Sequence, residues 1–121
     1  MLKNESTEMY LETILRLGEQ GKAICGVDLA DAMKVSKVSV CKAVKRLVGK
    51  QLVTYKDHRI ALAKEGRTVA ANVYERHLVL TKFLVALSVS STVAEQDACR
   101  MEHCISEESF AVIKSKCGAG Q

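Results

Sequence analysis

Towards the end of the chain, Cys99, Glu102 and His103 stand at i, i+3 and i+4. On an α-helix that spacing brings all three side chains to one face. A thiol, a carboxylate and an imidazole together suit a divalent transition metal, and the thiolate favours softer ions over magnesium or calcium. Glu95 lies one turn earlier on the same face, Met9 and Glu12 share a face at i, i+3, and His77 sits mid-chain. If the helices carrying them pack together, Met9, Glu12, His77, Cys99, Glu102 and His103 form a ligand set, with Glu95 ancillary. Each also has a plainer use, since cysteine and methionine fill gaps in cores and a helical glutamate is ordinarily solvated. Spacing alone leaves both readings open. Cys104 points to another face and reads as packing; Cys25, Cys41 and Cys117 are assigned no metal role. No separate nucleophile or substrate clamp accompanies the cluster, so no catalytic residue is expected and the chain does not read as an enzyme.

The elements that position these residues are mostly helical. In Glu5 to Gln20, Leu11, Ile14, Leu15 and Leu17 form an apolar stripe, with Ser6 or Thr7 as cap and Gly18 and Gly21 ending the helix. Val27 to Met33 reads as a short helix with Asp28 at its positive end and Leu29, Ala30 and Met33 inward. After the turn Lys34-Val35, Ser36 caps a helix to about Gly49, with Val40, Val44, Leu47 and Val48 buried. Two short helices joined by such a turn are a helix-turn-helix. Leu52 to Lys56 and Arg59 to Leu62 then flank the turn Asp57-His58 as a small hairpin, or wing. A long helix is expected from Lys64 to about Val89, with Val69, Val73, His77, Leu80, Leu84 and Leu87 at helical spacing. Thr92-x-x-Glu95 reads as a capping box for a helix to about Cys104. Ser106 caps the last helix, ending near Lys116, and Cys117 to Gln121 is expected to fray.

Charge is unevenly placed. Between Ala32 and Lys56 stand seven basic residues, Lys34, Lys37, Lys42, Lys45, Arg46, Lys50 and Lys56, and no acid interrupts them. The net charge of +4 hides this, because Glu95, Asp97, Glu102, Glu107 and Glu108 lie elsewhere. A basic run is often just a solvated face, but this one coincides with the helix-turn-helix and wing, where it would meet phosphates. Ser36, Lys37, Val38 and Ser39 open the second helix of the motif and face the major groove in a DNA reading; Lys42, Lys45 and Arg46 follow along it. Duplex DNA is thus the expected partner of a winged helix-turn-helix spanning roughly residues 26 to 64.

Bulk properties set the frame. With 121 residues, 48% of them hydrophobic and 26% charged, the chain suits one domain or a small module with a dimerisation appendix. Aromatics make up 4% and proline is absent, which favours helix. No run of about 18 apolar residues spans a membrane, and Met1 to Thr7 lacks a secretory h-region. A cytoplasmic protein is expected, with its five cysteines reduced.

Thr7-Glu8-Met9-Tyr10-Leu11-Glu12-Thr13-Ile14, the helix pair from Asp28-Leu29-Ala30 to Leu47, Arg76-His77 and Ala98-Cys99-Arg100-Met101-Glu102-His103 together resemble the diphtheria toxin repressor and manganese transport regulator family. The likeness runs from about Glu5 to Lys116. It implies a winged helix-turn-helix (1–64) followed by a helical metal-binding and dimerisation domain (65–121). It also implies a homodimer that binds palindromic operators and represses metal-uptake genes when a divalent metal, Fe2+ or Mn2+, is bound at one or two sites per subunit. The same donor types leave room for Zn2+ or Co2+ in vitro. Met9, Cys99, Glu102 and His103 match the iron-responsive branch, whereas Glu12 matches a manganese-branch glutamate; both branches use the histidine matching His77. Thr81 stands where the iron branch has a glutamate, and Glu95 where it has a histidine. Val38 replaces a common proline at a base-reading position. The iron branch's SH3-like domain is not expected after the sixth helix.

In this reading, metal bridging the first-helix ligands to those of the dimer half would fix the spacing of two recognition helices. Its ligands must be deprotonated, so activation should weaken as pH falls. The competing expectation is a winged-helix regulator that senses redox state, at Cys99, or a small molecule through its C-terminal half.

Overall fold

The computed structural model describes residues 5–21 and 23–118, which divide into two compact units after Ala71. The element order is α1 (Glu5–Gly18), α2 (Gly26–Met33), α3 (Lys37–Gly49), β1 (Val53–Lys56), β2 (Arg59–Leu62), α4 (Lys64–Ala86), α5 (Ser91–Met101) and α6 (Glu107–Gly118). The fold is mostly α with one antiparallel hairpin, as expected. Among the described residues, no helix is long and apolar enough to cross a membrane.

The N-terminal unit is built around one apolar cluster. Tyr10, Leu11 and Ile14 from α1 meet Leu29 and Ala30 from α2, and Val40, Ala43, Val44 and Leu47 from α3. Val53 and Ile60 from the hairpin close it, with Ala70 on the first turns of α4. The stripe on α3 is therefore 40, 43, 44 and 47. Val48, expected inside, is 41% exposed because it lies one position past that stripe, beside the terminal Gly49. Ser6 and Thr7 do not cap α1, which begins at Glu5 and places both within its first turn.

Local chemistry sets the boundaries. The Cys25 backbone N–H donates to Asp28 Oδ2 at 2.9 Å, anchoring the start of α2. Lys34 adopts the left-handed conformation (φ 58°) and its N–H bonds the Ala30 carbonyl, which makes the tight turn of the motif. Ser36 Oγ then accepts from the Ser39 backbone N–H at 3.0 Å, capping α3. The hairpin pairs Val53 with Leu62 and Tyr55 with Ile60. Its two turn residues, Asp57 and His58, have φ of 54° and 63°, the signature of a two-residue type I′ turn. The Ile60 N–H also donates to the Ile24 carbonyl at 2.7 Å, tying the wing to the segment before α2. Gly66 is demanded by close approach: a Cβ there would lie 1.9 Å from the Leu52 carbonyl oxygen.

In the C-terminal unit, α4 stops earlier than expected. Ser88 takes φ 80° and the Val89 N–H bonds the Leu84 carbonyl, so Leu87 falls outside the helix and is 61% exposed. The cap of α5 is Ser90, not Thr92, because the helix starts at Ser91 and Ser90 Oγ accepts from the Val93 N–H. Helix α5 ends at Met101, with Glu102 as its C-cap. Ser106 caps α6 as expected, through the Ser109 N–H. Cys117 and Gly118 belong to α6, and the rest of the expected frayed tail lies outside the described residues.

Candidate metal centre and nucleic-acid interface

Three of the expected ligands come together inside the C-terminal unit. His77 on α4 places Nδ1 2.9 Å from Glu102 Oε1, and His103 places Nε2 3.3 Å from the other carboxylate oxygen, Oε2. All three are buried, Glu102 completely. One carboxylate thus lies between two imidazoles in a water-excluded setting. Burying a carboxylate is costly unless it is paired, and here an imidazole nitrogen stands within ion-pair distance of each of its oxygens. The same atoms, deprotonated, are hard and borderline donors suited to a divalent first-row metal. The donor set fits such an ion.

Bonds around the cluster hold the backbone that carries it. The Thr81 hydroxyl donates to the His77 carbonyl at 2.7 Å, and the Tyr74 ring stacks near the imidazole with centroids 6.3 Å apart and planes 13° apart. Arg76 was visible in the sequence only as part of the Arg76-His77 step. It donates from Nη1 to the carbonyl of Glu102 at 3.2 Å and to that of Ile105 at 2.9 Å. Its guanidinium also lies 5.4 Å from the centre of the Phe110 ring on α6. These bonds satisfy carbonyls that the end of α5 leaves open. The sequence carried no signal for this role, because its partners are backbone carbonyls.

The other expected ligands are placed separately. Cys99 is half-buried on the last turns of α5, while Glu95 is exposed. His103 does not continue a helical face with Cys99, because α5 ends at Met101 and His103 lies in the following turn. Cys104, expected to pack, is exposed in that turn. In the N-terminal unit, Glu12 is buried and pairs with Arg16 at 3.6 Å, whereas Met9 is 37% exposed and its carbonyl accepts from the Thr13 hydroxyl.

The basic face is equally concrete. Lys37, Val38, Ser39, Lys42, Lys45 and Arg46 are all exposed on α3, opposite its buried stripe, and Val38 is 64% exposed. Ser36 is exposed too, but its Oγ is engaged with the Ser39 N–H and donates to Ser39 Oγ at 3.1 Å. A helix-turn-helix with a two-stranded wing, continued by a helical unit holding a buried imidazole–carboxylate cluster, defines a winged-helix regulator.

Comparison with known proteins narrows the class. Residues 3–61 match the family described as iron dependent repressor, N-terminal DNA binding domain, and residues 63–119 match its metal binding and dimerisation domain. The transcriptional regulator MntR of Escherichia coli is 35% identical over 121 residues, covering 97% of this chain and 78% of that protein. The diphtheria toxin repressor of Corynebacterium diphtheriae is 30% identical over 106 residues, covering 86% of this chain and 47% of the repressor. Among solved structures, a manganese-dependent transcriptional repressor in complex with manganese aligns with a TM-score of 0.86 at 26% identity, over 92% of this chain and 52% of that one. The manganese regulator SloR aligns with a TM-score of 0.79 at 28% identity, over 89% and 51%. The chain spans about half the length of these two structures. It belongs to the iron-dependent repressor family, whose members are iron- and manganese-dependent transcriptional repressors.

Proposed function

We propose that this chain is a divalent-metal-activated repressor that binds palindromic operator DNA as a homodimer in the cytoplasm and controls metal-uptake genes. It works without catalysis. The observation that carries the metal reading is the buried Glu102 carboxylate held between His77 and His103. Residues 1–64 act as the DNA-binding domain and 65–121 as the metal-binding and dimerisation domain.

His77, Glu102 and His103 form the nucleus of the ligand set, and Met9, Glu12 and Cys99 supply further donors by their match to the family's ligand positions. Held by these donors, Fe2+ or Mn2+ would supply a positive charge that compensates the buried Glu102 carboxylate. The chain's own residues do the rest. His77 and His103 would offer ring nitrogens and Glu102 its carboxylate oxygens, while Arg76 keeps the Glu102 backbone in place. A dimer held in one geometry sets the distance between its two α3 helices, and half-sites must lie whole helical turns apart to receive both. Metal shifts the population only through its preference for that docked state. Lys37, Lys42, Lys45 and Arg46 contact phosphates, while Val38 and Ser39 face base edges.

The test is selection of duplexes from a random palindromic pool under anaerobic Mn(II) or Fe(II). Binding of the selected duplex is then measured with metal and with chelator. Binding that tightens at least about tenfold with metal supports the reading; equal affinity in both conditions sinks it.

A further inference from the structure

The DNA-binding unit contains a cavity of about 410 Å³ between the start of α2, the exposed flank of α3 and the wing. Val27, Val40, Val44 and Ile60 line it, so its walls are apolar. Lys37 and Lys45, two turns apart on α3, stand at its margin, and no carboxylate lines it. The cavity exists because the wing is fastened at Ile60 to Ile24, while its turn at Asp57-His58 carries Tyr55 outward, 52% exposed. Its volume falls within the range of about 300–1,000 Å³ typical of small-molecule sites, which combine apolar walls with a few polar groups.

Phosphate contacts explain the lysines but not the walls. A phosphodiester pressed against valine and isoleucine would lose hydration without gaining hydrogen bonds. An organic anion with an apolar body uses both features: its ring or branched chain covers the walls and its charge meets the two ammonium groups. We infer that this cavity binds a small apolar carboxylate, and that its occupancy competes with DNA, because Lys37 and Lys45 serve both. The binding site itself does not rest on the metal reading; the competition rests on the DNA reading.

The test uses the full chain, isotope-labelled and metal-free, titrated with 2-naphthoate, its neutral counterpart 2-naphthamide, and inorganic phosphate. Naphthoate is expected to shift the amide resonances of Gly26, Val27, Cys41, Val44 and Ile60 saturably, at least about tenfold more tightly than the amide. Val27 is exposed, so Val27→Glu preserves the fold while adding a repelling charge; it should weaken naphthoate at least about tenfold, and Val27→Leu should not. Equal affinity for naphthamide, shifts at other residues, or the same set of shifts with phosphate would overturn the inference. In a separate arm with the metal used for selection present, duplex DNA selected as above should displace naphthoate; a ternary complex overturns the competition. A chain that binds naphthoate at these residues yet binds no duplex even with metal present refutes the DNA reading and upholds the site.

Discussion

The two units bury different chemistry. The N-terminal unit buries a large apolar cluster, from Tyr10 on α1 to Ala70 on α4, and beside it, among the described residues, the polar Thr7 and Glu12. In the C-terminal unit, the buried described residues are Val73, Leu80, Ala94 and Ala98 together with His77, Glu102 and His103. Two of its four buried apolar residues are alanines, which contribute little transfer free energy, whereas buried leucine or valine side chains each contribute about 1.5–3 kcal/mol. Nearly half of this unit's interior is ionisable, and such clusters stabilise weakly when they stand alone. The lesson is a division of labour: one unit is stable by burial, and the other is left dependent on what its polar cluster binds.

Leu47→Ala gives the largest expected effect. Leu47 is fully buried on α3, and its truncation should cost about 2–5 kcal/mol as transfer and cavity terms add. Thermal melts and hydrogen exchange should show the loss in residues 5–71, with Mn(II) or without it. Glu102→Gln comes next and acts on the other unit. It keeps the shape of the side chain but removes the charge between the imidazoles. A metal at about a hundred times its Kd stabilises the wild-type native state by about 2.7 kcal/mol, and most of this should vanish in the variant. Protection of residues 72–118 read with and without Mn(II) decides it. A metal-induced gain that is equal in both proteins, or that appears in the N-terminal unit alone, breaks the comparison.

How much of this was legible follows the same boundary. The stripes Leu11-Ile14 and Val40-Val44-Leu47, the Ser36 cap and the hairpin around Asp57-His58 were all readable, because periodicity and turn chemistry are local signals. The errors in that unit are marginal, such as Val48, where a stripe runs out at a helix end. In the C-terminal half, local signals compete. Three successive hydroxyls, Ser90, Ser91 and Thr92, offer alternative caps, and only tertiary context selects Ser90. The end of α5 at Met101 could not be read either, because Glu102 and His103 carry no helix-breaking chemistry. Residue types and spacing suggested that His77, Glu102 and His103 belonged together, but not that two imidazoles would flank one carboxylate. Arg76 has no role legible in the sequence, since its partners are backbone carbonyls and have no residue type to recognise.

That role leads to the third expectation. Arg76→Met removes both bonds to the Glu102 and Ile105 carbonyls while keeping the aliphatic stem. Charged hydrogen bonds lost at a part-buried site should cost about 1.5–2 kcal/mol. The metal site should feel this through position, not charge. The visible spectrum of bound Co(II) should shift and its affinity fall, while Arg76→Lys recovers part of the loss with one point charge in place of a fork. An unchanged cobalt spectrum would mean that Glu102 is placed by its own helix without this clamp.

Ser36 supplies the smallest effect and tests the well-packed unit at its DNA-facing edge. It opens the helix that we propose faces the major groove, yet its Oγ already accepts the Ser39 N–H. Ser36→Ala should therefore cost about 1 kcal/mol of stability as a lost cap, confined to the N-terminal unit. Ser36→Asn should restore it, since asparagine caps as well as serine. If the hydroxyl serves only the helix, duplex preference selected with Ser36→Asn should match the wild type, and the change with Ala should be uniform across sequences. Preference altered at one base pair by both variants would show that Ser36 leaves its cap on DNA. The apparent economy of α3, with caps and readers on separate residues, would then be a property of the free protein alone.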